Sequence, residues 1–150
     1  MTKSERRDYW RKFLERLRHE RLLRTERQPY DFTWQVIDEW ARHSIRLSAR
    51  LNADENWIHI DLTFTGPSRY ENFDRLVRES GKIPRERLAE LSDRPERYER
   101  DAADHPKECW IYLRRSGDPS DSHTRDAQHE WLTHALRTFR EVFGTHLDRW

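Results

Sequence analysis

One cysteine and four scattered glycines are all this 150-residue chain has of two residue types on which much site chemistry depends. Cys109 alone makes neither an internal disulfide nor a multi-cysteine zinc site, which suits a reducing cytoplasm. The glycines stand apart at 66, 81, 117 and 144, so no glycine-rich loop can cradle a phosphate. No apolar run reaches the length of a membrane span, and the opening Met-Thr-Lys-Ser-Glu-Arg-Arg-Asp has no apolar export core. The expectation is a soluble cytoplasmic protein with no membrane partner and no cofactor. Neither Asp-x-Lys nor Glu-x-Lys occurs anywhere, so the acidic-x-lysine signature of restriction-type nucleases is missing.

Charge and aromatics are plentiful. Charged residues make up 38% of the chain and the mean hydropathy is −1.21, values that would mean disorder if the apolar residues were scattered. They are patterned instead, and seven Trp, six Phe and five Tyr supply large buried areas. The length fits one α+β domain over residues 1–150 with its own core. Net charge is only +1, yet residues 1–28 hold ten basic against five acidic side chains, leaving nineteen against twenty-three for the remainder. A basic N-terminal segment is a candidate anion-binding surface.

The clearest pattern lies between Ser44 and Thr65. Ile45, Leu47, Ala49 and Leu51 alternate with Ser44, Arg46, Ser48 and Arg50, and Ile58, Ile60, Leu62 and Phe64 alternate with Trp57, His59, Asp61, Thr63 and Thr65. Each run is a half-buried strand. A one-residue slip would turn one apolar set to water, so the antiparallel register predicted is Leu51 opposite Ile58 and Leu47 opposite Leu62, around a turn of Ala53 to Asn56.

Helical spacing predicts a first helix from about Ser4 to Leu23, opened by a Thr2/Glu5 capping box and burying Tyr9, Trp10, Phe13, Leu14 and Leu17. Residues 30–43 fit strand and helix about equally and are read as a short strand-like entry to the hairpin. A Ser68/Glu71 capping box predicts a middle helix ending at Gly81, and Pro84 a short one with Ile83, Leu88 and Leu91 inward. Residues 92–107 read as a long charged loop broken at Asp93-Arg94-Pro95 and His105-Pro106, with a strand near Tyr98. Glu108 to Arg114 alternates, with Cys109, Ile111 and Leu113 on one side and Trp110 and Tyr112 on the other. Leu132, Leu136, Phe139, Phe143 and Leu147 mark a last helix from about Thr124 to Leu147. The expected architecture is an antiparallel sheet built on a central hairpin, with N-terminal, middle and C-terminal helices packed on it.

Chemistry is harder to find. His129 and His134 sit at i, i+5, which points two helical imidazoles about 140° apart and prevents a shared zinc. With His123 they are expected on the solvent side of the helix. Cys109 falls on an apolar strand face and reads as a buried structural thiol. His59 and Asp61 share one strand face and are the best pair for a metal-dependent hydrolase, but they lack the partnering lysine. The polar hairpin face offers more: Arg46, Arg50, His59 and Trp57 have the composition of a surface that grips phosphates and stacks a base, although an ordinary solvated sheet face looks the same. Arg7, Arg11 and Arg18 form a strip along the first helix. A solvated flank is the ordinary reading of such a strip. These seven residues are the nucleic-acid-contact candidates, with no catalytic or metal residue assigned.

The order of Tyr9-Trp10-x2-Phe13, Trp34, Ile45-Arg46-Leu47-Ser48, Ile58-His59-Ile60-Asp61-Leu62, Asn72-Phe73-Asp74-x-Leu76 and His129-Glu130-Trp131-Leu132 resembles a bacterial family known as domain of unknown function 4268. The resemblance implies an α+β fold. It also implies a bacterial or phage-encoded protein that accompanies nuclease-like, restriction or phage-defence proteins, and it brings no catalytic residues with it. The expected function is a non-catalytic accessory or adaptor domain binding nucleic acid, a partner protein, or both. The alternatives are a cryptic metal-dependent hydrolase or nuclease using His59 and Asp61, and a purely protein-binding subunit. Partners left open are nucleic acid, a nuclease-like or defence-system protein, and a second copy of the chain.

Overall fold

A computed structural model describes residues 1–92, 94–102, 105 and 107–150. Helix α1 (Lys3–His19) opens with the expected capping box: Glu5 N–H donates to Thr2 Oγ1, and Thr2 N–H donates to the Glu5 carboxylate. Its five predicted core residues are all fully buried. It stops short of Leu23 because Arg21 takes a left-handed conformation (φ 58°) and Leu22 N–H reaches back to Leu17 O at 2.8 Å, a Schellman closure without the usual glycine.

Among the described residues five strands form one antiparallel sheet, in the spatial order β1 (Trp34–Trp40), β2 (Ile45–Asn52), β3 (Trp57–Phe64), β5 (Cys109–Ser116) and β4 (Arg97–Glu99). Strands β2 (Ile45–Asn52) and β3 (Trp57–Phe64) pair in the predicted register, Leu51 opposite Ile58 and Leu47 opposite Leu62. Residues 34–40 are a full edge strand, β1 (Trp34–Trp40), rather than a short irregular entry. A bulge between Val36 and Asp38 gives it one extra residue, so Val36 and Ile37 are both buried and the period-2 signal breaks. Strand β5 (Cys109–Ser116) pairs with β3, placing Ile111 opposite Leu62 and Leu113 opposite Ile60. The short β4 (Arg97–Glu99) pairs with β5 and contains Tyr98, as expected. Of the breakers expected nearby, Asp93 and Pro106 lie outside the described residues.

Helix α2 (Arg69–Ser80) ends at Gly81 (φ 61°) as predicted, but the Ser68/Glu71 capping box does not form. Ser68 sits at φ −95°, ψ 14°, where its hydroxyl makes no cap bond, and the first turn is closed by backbone bonds from Arg69 to Gly66 and Asn72 to Ser68. In α3 (Ile83–Leu88), Leu88 is buried, but Ile83 is 55% exposed and Pro84 takes the inward place expected of it. Helix α4 (Arg125–Phe139) continues through a π-helical turn (Arg140–Gly144) into a last turn (Thr145–Leu147). That wider turn absorbs the drift of two successive four-residue steps and keeps Phe139, Phe143 and Leu147 in the core.

Helix side chains and Ile45, Leu47, Ala49, Leu51, Ile58, Ile60, Leu62, Phe64, Cys109, Ile111 and Leu113 of the sheet share one core. The helices therefore cover one sheet face. On the other, Ala102, Trp110 and Tyr112 form a separate small cluster. Among the described residues no helix is long and apolar enough to cross a membrane.

Candidate functional site

The sheet face away from the helices carries the polar half of each strand's alternation, and cross-strand pairing sets Arg50 opposite His59, His59 opposite Arg114, and Ser48 and Tyr112 on either side of Asp61. It is not a solvated face. His59 and Asp61 are fully buried, Ser48 and Thr63 nearly so, and Arg50 is 9% exposed. Aromatic side chains shield them in place of a helix: the Arg50 guanidinium lies 4.3 Å from the Trp110 ring centre, and His105 lies over the same indole at 5.0 Å.

Asp61 is the centre of this layer. Its Oδ2 accepts from Arg50 Nε at 2.6 Å and faces His59 Nε2 at 3.1 Å, while Oδ1 accepts from the Thr63 hydroxyl. Burial by itself would raise the Asp61 pKa, but the Arg50 charge and the His59 and Thr63 hydrogen bonds outweigh it and hold the carboxyl at about 2. Arg114 approaches the other ring nitrogen, His59 Nδ1, at 3.2 and 3.3 Å. A guanidinium only donates, so Nδ1 must accept, which leaves the proton on Nε2 facing Asp61. Burial, reinforced by the Arg114 and Arg50 charges and only partly opposed by Asp61, pulls the His59 pKa down to about 4. The imidazole is neutral with a single defined tautomer.

From this layer a stack rises to the rim. The Trp57 ring lies parallel to His59 at 4.8 Å, and the Arg114 guanidinium sits 3.7 Å over Trp57 and 4.9 Å over Tyr112. Trp57 and Arg114 form the wall between two open clefts. One, of about 340 Å³, is lined among others by Arg6, Arg50, Asp54, His105 and Trp110. The second, of about 630 Å³, is lined by Glu55, Ser92, Arg94, Arg115 and Ser116 besides the shared pair. Among the described residues Arg6, Arg94, Arg114 and Arg115 have no carboxylate within 4.0 Å, and Asp54 and Glu55 are the carboxylates lining these clefts.

The structure divides the seven candidates read from the sequence. Arg50, Trp57 and His59 meet here, with Arg50 and His59 inside the layer and Trp57 at its rim. Arg46 lies on the same face, 3.9 Å from Glu108, in a smaller cleft with Trp34, Ser48 and Arg50. The α1 strip is elsewhere and already paired: Arg7 with Asp31, Arg11 with Asp8 and Glu15, Arg18 with Glu26. The sequence reading missed Arg6, Arg94, Arg114, Arg115 and Trp110. Alternation along β5 signals Trp110 and Arg114 once β5 is paired to β3, whereas Arg6 and Arg94 carry no such signal.

Two other sequence readings resolve differently. Cys109 is buried on the core side, where burial pushes its thiol up to about 11. His123 and His134 are exposed, but His129 is not on the solvent side of its helix as expected. It is buried against Tyr9 and Phe13 at ring separations of 4.5 and 5.5 Å, because α1 packs along α4 and widens the buried arc.

A family model described as a domain of unknown function, DUF4268, matches residues 5–147. The chain belongs to this family. Comparison with curated proteins and with solved structures returns no significant match. The family match spans every strand and each residue lining the stack and its two clefts apart from Met1.

Proposed function

We propose that this chain is a non-catalytic nucleic-acid-binding domain that holds an unpaired strand across the tip of the β2–β3 hairpin, as an accessory to a nuclease-like or defence-system protein. The observation that carries this reading is the Trp57–Arg114 stack standing between two arginine-lined clefts. Single strands are bound by cationic grooves that follow the backbone and by aromatic rings on which bases stack, and this rim offers both. Four arginines without a carboxylate partner among the described residues supply the phosphate contacts, with Trp57 as the stacking surface. A duplex keeps its bases inside and gains only the charge term.

The hydrolase alternative draws less support. His59 and Asp61 are fully buried, and both Asp61 oxygens and both His59 nitrogens are engaged by protein groups. A metal or substrate would have to displace Arg50 or Arg114 to reach them.

Fluorescence anisotropy of a short labelled single strand tests the proposal. With four phosphate-contacting arginines, log Kd should change with log salt at a slope of about 3 in magnitude between about 50 and 200 mM salt. Trp57→Ala should cost about 1–3 kcal/mol of binding, roughly 5- to 150-fold. Arg115→Ala, at an exposed position, should weaken binding and flatten the salt slope without touching the core. Binding that is absent at low salt, or equal in wild type and both variants, refutes the reading.

A further inference from the structure

A further cavity lies between α1 and the first turn of α4. It has a volume of about 320 Å³ and is lined by Lys12, Arg16, Ser122, Arg125, Asp126 and His129, none of which lines the hairpin clefts. Two buried nitrogens on its lining residues, Arg125 Nε and His129 Nε2, have no hydrogen-bond partner among the described residues. His129 is 4% exposed. Arg125 Nε–H is an orphaned buried donor, which costs about 1–3 kcal/mol and more when charged, and His129 Nε2 is a second in the tautomer that protonates it, so an acceptor inside the cavity would satisfy both.

The surroundings specify that acceptor's charge. Lys12 and Arg16 stand one turn apart on α1, facing Arg125 from α4. The Thr124 side chain makes no cap bond, so the positive end of a 15-residue helix opens here. The cations are not bare: Asp8 lies 3.2 Å from Arg125 and 3.6 Å from Lys12, and Asp126 and Glu20 each lie 3.3 Å from Arg16. Asp126, however, has a side chain 97% exposed and can swing into solvent, and none of these carboxylates reaches Arg125 Nε or His129 Nε2.

We infer that this pocket binds a tetrahedral oxyanion, either inorganic phosphate or the phosphate group of a small metabolite, with Arg125 Nε–H and His129 Nε2–H as its buried donors and Lys12 and Arg16 as its charged rim. The fixed donors set position and the rim cations supply attraction. Burial, followed by the charges of Arg125, Arg16 and Lys12, pulls the His129 pKa down to about 3. The ring is therefore neutral with a single N–H, and a bound oxyanion selects the tautomer that carries it on Nε2.

Proton–nitrogen NMR of the intact protein during titration with inorganic phosphate tests this. The Arg125 Nε–H and His129 ring signals should shift together and saturate with one Kd. Arg125→Lys keeps the charge and the reach to Asp8 but lacks the Nε–H, and should weaken binding about tenfold, as expected for loss of one charge-assisted hydrogen bond. Lys12→Gln combined with Arg16→Gln changes two helix-surface residues and should have a similar effect, with a thermal midpoint in phosphate-free buffer serving as the check on folding. Glycerol phosphate binding more tightly than inorganic phosphate assigns the site to a phosphorylated metabolite, and the reverse assigns it to the free ion. Either result supports the site. Linear, unsaturated shifts spread over surface arginines, or Arg125 and His129 signals that stay put, overturn it. Neither outcome bears on oligonucleotide binding at the hairpin, because the two sites share no residue.

Discussion

Replacing Asp61 by alanine removes the buried carboxylate at the centre of the sheet's polar layer, and the geometry sets the cost. The variant leaves Arg50, 9% exposed, without its counter-charge, a buried imidazole N–H without its acceptor, and the Thr63 hydroxyl without an acceptor although it still accepts from Arg50 Nη2. Removing one member of a buried ion pair costs about 3–5 kcal/mol, and each neutral orphan adds about 1. Arg50 lines the 340 Å³ cleft and can turn partly into it, which favours the lower end of the ion-pair cost, so with the two neutral orphans we expect about 5 kcal/mol. That is a large share of the roughly 5–15 kcal/mol that stabilises an ordinary domain. Urea unfolding followed by tryptophan fluorescence measures it, with Trp57 and Trp110 beside the lesion as reporters. The control is Arg50→Met combined with Asp61→Leu, which removes both charges and should be clearly more stable than Asp61→Ala alone. A single variant costing less than about 1 kcal/mol, or a double variant worse than the single, would show that Arg50 and Asp61 are solvated separately and that the layer is not the unit described.

Acid should destabilise the fold early. His59 and His129 are held by burial at about 4 and about 3, whereas each titrates near 6.5 when unfolded, so between those limits unfolding takes up protons. Stability is therefore full above about pH 6.5 and falls as pH drops, by up to about 1.4 kcal/mol per pH unit for each histidine. Asp61, at about 2 against an ordinary 3.8, extends the loss from about pH 4 downward. A thermal midpoint that stays flat through this window would contradict the buried, neutral histidines. Cys109, buried and with its thiol pushed up to about 11, should resist a disulfide reagent in the native state and react only as fast as the protein unfolds. Labelling at the rate of a free thiol would place it elsewhere.

Which features were legible in the sequence follows from how local their causes are. The hairpin register was readable because two eight-residue runs alternate without interruption and a slip would expose a whole apolar set. Strand β1 was ambiguous for a physical reason: its bulge buries Val36 and Ile37 in succession, which imitates a helical face. The end of α1 was missed because Arg21 fills a left-handed position that glycine normally marks. In the site, Arg50, Trp57 and His59 were readable from β2 and β3 alone. Arg114 and Trp110 needed the β3–β5 pairing, which joins residues 45 to 59 apart in sequence. Nor can alternation tell a solvated polar face from one whose polar groups satisfy each other beneath aromatic rings. Both read as polar every second residue, and the shielding by Trp110, Tyr112 and His105 separates them.

That shielding gives the buried layer a purpose at the surface. Asp61 accepts the His59 Nε2 proton, so Nδ1 is left bare, and a bare Nδ1 is what Arg114 donates to. A protonated His59 would present N–H to N–H and repel Arg114. Arg114 in turn spans Trp57 and Tyr112 at 3.7 and 4.9 Å, and Trp57 rests flat on the imidazole itself. Each group fixes the next, from a carboxylate with no solvent contact to an indole and a guanidinium at the mouths of two clefts. Ordering long side chains such as arginine on binding costs entropy, and a rim held from below has already met much of that cost. The His59–Asp61 pair, which in the sequence resembles the start of a catalytic centre, thus has a sufficient physical role as the support that holds Trp57 and Arg114 in place.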